Sequence, residues 1–176
     1  MKNAGYYRFP TVHGNNVAFI SENDLWLINL HEVSPKRLTS NMSYVRSPHF
    51  SPDGKWIAFI SQEDGSSEIY IIATAGGQAK KITFIGSNIG RIANWEGDKI
   101  YFSSDYAQPF GRVMELFWVS YKNDVLPTNA KFGISHDLSF GKQGVVIGRN
   151  TADPARWKRY KGGTAGEIWI DIENNH

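Results

Sequence analysis

The sequence predicts an all-β fold, namely a β-propeller built from four-stranded antiparallel blades. Strand-like alternation of apolar and polar residues recurs along the 176 residues, whereas helical periodicity is almost absent. The strand-like runs recur in the same order in four units of about 40–50 residues, which is the repeat length of propeller blades. We therefore place the blades at about residues 8–40, 44–84, 89–129 and 134–172.

The second unit shows the order of its strands most clearly. It reads SPHFSPDGKWIAFISQEDGSSEIYIIATAGGQAKKIT, in which turns at Asp53-Gly54 and Gly76-Gly77 separate a short first strand, KWIAFIS, EIYIIA and AKKIT. The first unit repeats this order as HGNNVAFIS, DLWLINL and PKRLTS, and the third as EGDKIYFSS, ELFWVSY and VLPT. The fourth unit contains GKQGVVIGRN and EIWIDI.

A three-residue motif marks the third strand of every unit: an acidic residue, then leucine or isoleucine, then an aromatic residue. The aromatic residues, which lie 44, 47 and 52 positions apart, are Trp26, Tyr70, Phe117 and Trp169. A large flat side chain fills the wedge between adjacent blades, so we expect these aromatics at equivalent places between sheets. We expect the acidic residues to be exposed at strand starts; they are Asp24, Glu68, Glu115 and Glu167. The alternative is a β-sandwich, although sandwiches do not usually repeat such a motif four times.

The fourth unit shows no counterpart of the outer strand AKKIT after EIWIDI. Closed propeller rings typically contain four to eight blades. We therefore predict that the chain is a truncated fragment of a larger propeller protein. The alternative is a four-bladed ring whose last outer strand is missing.

The composition argues against several kinds of function. The formal net charge of +2 gives no argument for nucleic-acid binding, and the absence of cysteine excludes disulfides, thiol nucleophiles and thiolate metal sites. No apolar run approaches the roughly 18 residues of a membrane span, and residues 1–16 lack the layout of a signal peptide. We expect a cytoplasmic protein that binds neither nucleic acid nor membrane, or a periplasmic one if a signal peptide was removed.

The histidines predict no metal site, because they lie in different units without a close pair. They are His13, His31, His49, His136 and His176. We also expect no cofactor. His49 in SPHFS and His136 in SHDLS occupy similar positions at the start of their blades, which favours a repeated structural hydrogen bond over a ligand role.

The sequence resembles the N-terminal β-propeller region of tricorn protease and its bacterial homologues over nearly its whole length. HGNNVAFISENDLW resembles the first blade of that family, and DYAQPFGRVMELFWV resembles its third. The most specific part is VVIGRNTADPARWKRYKGGTAGEIWIDI, where GRNT, W-K-x-Y-[KR]-G-G-T and G-x-I-W-I match residue by residue. Propellers of the TolB-like and dipeptidyl-peptidase-like kinds share FSPDGKWIAF but lack that loop.

The resemblance implies a part of a large serine peptidase that degrades short peptides. Such a peptidase has a six-bladed and a seven-bladed propeller, a PDZ-like domain and a C-terminal catalytic half. This chain would cover about four of the six blades, and the catalytic serine and histidine would lie far beyond residue 176, so we expect no catalytic residue in it. The expected role is a chamber wall and peptide channel; the expected partners are peptides, the other domains of the parent and further copies of the parent. The alternative is a free-standing TolB-like propeller that serves as a protein-interaction scaffold.

Arg91 is the candidate substrate-binding residue that the resemblance implies. The segment KKITFIGSNIGRIANW is similar to the family segment in which two consecutive arginines after a glycine hold the C-terminal carboxylate of the peptide. Arg91 matches the first arginine, and Ile92 replaces the second. A guanidinium suits this role because its planar fork can donate two hydrogen bonds to a carboxylate.

The loop at residues 150–166 is the other candidate site, because its cations and aromatic rings are clustered. It contains Arg156, Trp157, Lys158, Arg159, Tyr160 and Lys161 against a single acidic residue, Asp153. Such a loop can hold RNA or an acidic peptide. We favour a structural interpretation, in which it joins two strands of a blade and packs on a neighbouring domain.

Overall fold

The computed structural model describes residues 5–40, 43–111, 113–123, 126–149, 162 and 165–172, and these residues form strands and turns without any helix. The basic loop predicted above therefore lies almost entirely outside the described residues. The strands are β1 (Arg8–His13), β2 (Asn16–Ser21), β3 (Asp24–Asn29), β4 (Lys36–Arg37), β5 (Arg46–Phe50), β6 (Trp56–Ser61), β7 (Glu68–Ala73), β8 (Lys80–Lys81), β9 (Ile89–Glu96), β10 (Lys99–Ser104), β11 (Glu115–Ser120), β12 (Thr128–Ile134), β13 (Asp137–Gly141), β14 (Gly144–Arg149) and β15 (Glu167–Ile172).

The strands form four antiparallel sheets in chain order, which confirms the predicted all-β propeller architecture. The sheets are β1–β4, β5–β8, β9–β12 and β13–β15, and neighbours in sequence are neighbours in each sheet. The first strands of successive sheets also contact one another, β1 with β5, β5 with β9 and β9 with β13. These first strands are therefore the inner strands, around which the sheets are arranged.

The fourth strand of the third sheet lies later in the chain than the sequence pattern indicated. We expected it at VLPT, residues 125–128, but β12 begins at Thr128 and pairs Thr128 with Trp118 and Asn129 with Phe117. Pro127 precedes the strand, and proline has no N–H to donate to a ladder. The third sheet thus extends to Ile134.

The four motif aromatics occupy equivalent positions, as predicted. Each is the third residue of its strand and pairs with the fourth residue of the preceding strand; the pairs are Phe19–Trp26, Phe59–Tyr70, Phe102–Phe117 and Ile147–Trp169. Tyr70 belongs to the apolar cluster shared with the first sheet, and Phe117 to the cluster shared with the second. The motif aromatic therefore faces the preceding blade.

The core consists of apolar layers between successive sheets. Between the first and second sheets, Ala18, Ile20 and Leu25 pack against Ile57 and Phe59. The next two layers are built in the same way; their central residues are Ile60, Ile69, Ile100 and Phe102 between the second and third sheets, and Tyr101, Leu116, Val145 and Ile147 between the third and fourth. Each strand thus contributes alternate residues to two different layers.

Two of the acidic motif residues are buried, which corrects the expectation that all four are exposed. Asp24 and Glu68 are 3% and 2% exposed. The hydroxyl of Thr83 donates to Glu68 Oε2 over 2.5 Å and accepts the Ile69 N–H over 2.8 Å. In the first sheet, Thr39 makes the same two bonds to Asp24 and to the Leu25 N–H. A buried carboxylate must be hydrogen-bonded, and a threonine two residues beyond the fourth strand supplies the donor.

Replacing Thr83 with valine is expected to lower the free energy of unfolding by about 1–3 kcal/mol, because Glu68 and the Ile69 N–H both lose a buried partner while the side-chain volume is kept. Thr74→Val is the matched control, since the Thr74 hydroxyl makes only an exposed bond to the Lys55 carbonyl. Urea unfolding followed by fluorescence measures both. Equal losses for the two variants would show that this contact does not stabilise the blade.

Candidate functional site

Arg91 lies on the inner strand β9 and forms an ion pair with the next blade. Its Nη1 donates to Asp137 Oδ1 over 2.5 Å, and Asp137 is the first residue of β13. The two side chains remain 43% and 35% exposed. The guanidinium is therefore accessible to solvent although a carboxylate of the protein already binds it.

Arg91 is one of a set of charged residues at one register position of the inner strands. Each pairs with the fifth residue of the second strand of its sheet; the set is Arg8 opposite Ile20, Arg46 opposite Ile60, Arg91 opposite Ser103 and Asp137 opposite Gly148. Three guanidinium groups and one carboxylate thus follow one another from blade to blade. We call these four residues the inner-strand charged row.

Arg46 and Arg91 both connect one blade to the next. The guanidinium of Arg46 donates to the carbonyl oxygens of Ile89 and Gly90 on β9, each over 2.5 Å. Burial lowers the pKa of Arg46, but an arginine begins high enough to stay charged at neutral pH. Arg8 donates to Asn23 Oδ1 over 3.0 Å instead. Arg46 is therefore occupied by the backbone, whereas Arg91 pairs with a side-chain carboxylate.

Backbone bulges present the first two arginines of the charged row. The ladder register shifts after Arg8 and after Arg46, and the residues that follow, Phe9 and Ser47, have φ of 50° and 52°. A bulge bends its strand and changes the direction of the side chains beside it. The Ser47 hydroxyl accepts the Ile92 N–H over 3.0 Å, which ties the second inner strand to the third.

A cleft of about 330 Å³ lies beside Arg91, between the inner strands of the first three blades. Its walls are Phe9, Pro10, Arg46, Ser47, Pro48, Gly90, Arg91 and Ile92. A mixed wall that includes Arg91 suits a small ligand that ends in a carboxylate.

Ile92 does not belong to the inner-strand charged row, because its side chain lies in the core. It is 5% exposed and belongs to the apolar layer between the second and third sheets. The position where the family pattern has a second arginine is therefore a core position in this chain. The guanidinium that lies nearest in the same row belongs to Arg46 of the preceding blade, which the sequence analysis did not identify.

A larger cleft, of about 750 Å³, lies between the third and fourth sheets. Its walls combine aromatic rings with two lysines; they include Tyr101, Trp118, Lys131, Phe132, Phe140 and Lys142. Residues of the inner strands β9 and β13 line it as well as residues of β12. We regard the smaller cleft as the candidate site because Arg91 and Arg46 are both in its wall.

His49 has a structural role on the second inner strand. Its Nδ1 lies 3.0 Å from the Phe50 carbonyl oxygen, and burial lowers the pKa of the imidazole. His49 pairs with Ala58, the third residue of β6. In the fourth sheet the residue at that register position is Ser139, which pairs with the third residue of β14. His136 lies before β13 begins. The two histidines are therefore not equivalent, contrary to the sequence analysis.

The lowered pKa of His49 predicts a loss of stability in acid. Below about pH 6.5, the unfolded chain binds a proton at His49 that the folded chain resists, so the free energy of unfolding falls as the pH falls. His49→Gln should remove this part of the pH dependence. Urea unfolding at a series of pH values between neutral and mildly acidic tests this, and identical slopes for wild type and variant would contradict it.

The described residues offer no other recognisable centre. Among them, no group of three or more His, Asp and Glu side chains could hold a metal ion. In the same part of the chain there is no helix whose length and hydropathy would suit a membrane span.

Antiparallel sheets stacked around inner strands define the class of protein as a β-propeller domain. Residues 4–176 match the family described as the tricorn protease N-terminal β-propeller domain. The chain belongs to this family, as its motifs predicted.

The most similar relatives differ greatly in their own length. The chain is 36% identical over 177 residues to a tricorn-like protease N-terminal subunit of Sulfurisphaera tokodaii, and the match covers 98% of the chain and 89% of that relative. It is 34% identical to a tricorn protease homolog of Saccharolobus solfataricus, but there the match covers 96% of the chain and only 16% of the relative. The tricorn protease of Thermoplasma acidophilum is 33% identical, with 94% and 16% covered.

The fold agrees with that of a solved member of the family. The crystal structure of the tricorn protease superposes with a TM-score of 0.83 at 29% identity, over 96% of this chain and 17% of the other. TolB from Acinetobacter baumannii superposes with a TM-score of 0.64 at 18% identity, over 92% and 39%, which shows a shared fold alone. A TolB sequence relative from Desulfosudis oleivorans covers only 52% of the chain, so the TolB-like alternative is the weaker one.

Proposed function

We propose that this chain is a non-catalytic propeller segment of a tricorn-like serine peptidase that degrades short peptides. In this role it forms part of the chamber wall and of a peptide channel, and Arg91 anchors the C-terminal carboxylate of the peptide. Membership of the tricorn family over residues 4–176 supports the parent, and the partly exposed Arg91 in the wall of a cleft supports the anchor. Peptides, the other domains of the parent and further copies of the parent are the proposed partners, in the cytoplasm.

The anchor would work by exchange of carboxylates at Arg91. In the unliganded chain, Asp137 binds Nη1 and holds the guanidinium beside the cleft. An incoming peptide carboxylate competes with Asp137 for the Arg91 guanidinium or binds its remaining N–H groups. The peptide side chains contact Phe9, Pro10 and Pro48 in the cleft wall. The carboxylate of Asp137 thus positions Arg91, but its negative charge also opposes a peptide acid.

Peptide binding to the chain tests this proposal without requiring catalysis. Calorimetric titration should give tighter binding for a short peptide acid than for its C-terminal amide, because only the acid can pair with Arg91. In Asp137→Asn the neutral amide no longer competes as an anion, so the acid should bind several-fold more tightly and the amide should be unchanged. Acid and amide of equal affinity in both proteins would contradict the anchor.

The alternative is a propeller that only binds a protein partner. That function would give no preference for a free carboxylate, and it would leave Arg91 as an interblade contact alone. The same titration therefore separates the two functions.

A further inference from the structure

The carbonyl groups immediately before Arg91 are held by a side chain of the preceding blade. The guanidinium of Arg46 donates through Nη2 to the carbonyl oxygen of Ile89 and through Nη1 to that of Gly90, each over 2.5 Å. A planar guanidinium bridges two acceptors in one fixed geometry. The second of these planar peptide groups contains the nitrogen of Arg91, so its orientation determines where the Arg91 backbone begins.

Two serine hydroxyl groups hold the N–H groups that follow. Ser103 Oγ accepts the Arg91 N–H over 3.2 Å, and Ser47 Oγ accepts the Ile92 N–H over 3.0 Å. Ser47 follows Arg46 on β5, and Ser103 lies opposite Arg91 on β10. Side chains of two other strands therefore hold four consecutive residues of β9 by their backbone.

The held segment interrupts the ladder between β9 and β10. Ser104 pairs with Ile89 and Ser103 pairs with Arg91, so the ladder passes over Gly90. In a regular antiparallel strand, successive carbonyl groups point to opposite sides. The bulge breaks this alternation, and two successive carbonyl groups can then meet one guanidinium. A bulge also changes the direction of the side chain beside it, which here is the side chain of Arg91.

A glycine is required at this bulge because β9 and β10 approach each other closely there. A Cβ atom added at Gly90 would lie 2.6 Å from Ser103 Oγ, and glycine is the residue that permits such an approach. The oxygen that a Cβ would displace is the one that accepts the Arg91 N–H. The shape of the bulge and the position of Arg91 are therefore linked.

We propose that Arg46 is the positioning residue of the peptide anchor, because it holds the carbonyl groups of Ile89 and Gly90 and so fixes the bulge that directs Arg91 along the cleft wall. Arg46 does not bind the peptide carboxylate itself. A side chain that is held in place before binding loses less conformational freedom when the ligand arrives. This inference rests on the proposed role of Arg91 as the carboxylate anchor.

Arg46→Lys tests this role, because lysine keeps the positive charge but lacks the planar fork that bridges two carbonyl groups. In calorimetric titration of the full chain, we expect a short peptide acid to bind about three- to tenfold more weakly, within the coupling range of residues in one hydrogen-bond network. Its C-terminal amide should bind as before. Arg37→Lys is the matched control, because Arg37 pairs with Asp24 on the outer side of the first blade, and it should change neither affinity.

The double variant Arg46→Lys/Arg91→Ala separates positioning from direct binding. It should bind the acid as Arg91→Ala does, because no guanidinium remains to be positioned. A further loss in the double variant would show that Arg46 binds the carboxylate itself and would overturn the proposal. Wild-type acid affinity in Arg46→Lys, together with a lower free energy of unfolding, would also overturn it, because Arg46 would then only join two blades.

A second pair of variants tests the bulge. Gly90→Ala should weaken binding of the acid and leave the amide unchanged, because the new Cβ displaces the Ser103 hydroxyl. In a Ser103→Ala background that oxygen is absent, and Gly90→Ala should have no further effect. Acid affinity in Gly90→Ala equal to that of the wild type would show that the shape of the bulge does not position Arg91.

Nuclear magnetic resonance without any peptide keeps this inference separate from the anchor. The heteronuclear NOE of the Arg91 Nε–H, a signal identified by its loss in Arg91→Ala, should fall in Arg46→Lys because the side chain gains freedom. It should stay unchanged in Arg37→Lys. An unchanged NOE in Arg46→Lys would overturn the positioning role. If Arg91→Ala left acid binding unchanged, the anchor would fail instead, and a lower NOE would still show that Arg46 positions Arg91.

Discussion

Replacing Phe102 with alanine is expected to lower the free energy of unfolding by about 3–5 kcal/mol, the usual cost of removing a buried phenylalanine. Phe102 is fully buried in the apolar layer between the second and third sheets. Its ring lies 6.2 Å from that of Phe117, centroid to centroid, and Ile60 and Ile69 of the second sheet belong to the same layer. The loss of this ring would leave a cavity at the contact between two blades.

Urea unfolding monitored by circular dichroism measures this change. Phe110→Ala is the matched control, because Phe110 is 71% exposed, and its effect should stay within about 0.5 kcal/mol. If both variants lost the same stability, the second and third sheets would not pack through this layer.

The repeat made the fold predictable from the sequence. Alternation of period two gave the strands, and the motif aromatic recurred at one register position in all four sheets, from Trp26 to Trp169. The constraint is physical, because a propeller packs the same two faces together again and again, and each strand must therefore repeat its apolar pattern. Local pattern and global packing agree at these positions.

The acidic motif residues were misjudged because their partners are distant in sequence. A charged residue at a strand start is usually exposed. Glu68 can be buried because Thr83, which lies just beyond the next strand, and the Gly86 N–H both donate to it. Nothing within the motif itself indicates those donors. Burial of a carboxylate depends on the hairpin that folds over it.

The inner-strand charged row was missed because turns of different length change its spacing from the turn glycines. Arg46 precedes the turn glycine Gly54 by eight positions, whereas Arg91 precedes Gly97 by six. The difference lies in the turns, because residues 51–55 separate β5 from β6 and only residues 97–98 separate β9 from β10. Only the ladder shows that Arg8, Arg46 and Arg91 are equivalent, and only the packing of two blades shows that Asp137 reaches Arg91.

In the parent peptidase, Arg91→Ala is expected to reduce kcat/KM for peptides with a free C-terminal carboxylate by about ten- to a hundredfold. A hydrogen bond to a charged group contributes roughly 1.5–3 kcal/mol, which corresponds to that range of kcat/KM. We expect the lower end, because Ile92 is a core residue and supplies no second guanidinium. Arg46, which already donates to two carbonyl oxygens, is a poor substitute.

The most direct test of the account is to measure kcat/KM for one peptide as its acid and as its amide. The measurement is made on the wild type, on Arg91→Ala and on the control Lys55→Ala, which removes an exposed cation at a turn. The account predicts that Arg91→Ala lowers the acid value by at least about tenfold and leaves the amide value nearly unchanged, while Lys55→Ala changes neither. Equal losses for acid and amide in Arg91→Ala would contradict it, because they would show that Arg91 supports the contact with the fourth blade and does not bind the peptide carboxylate.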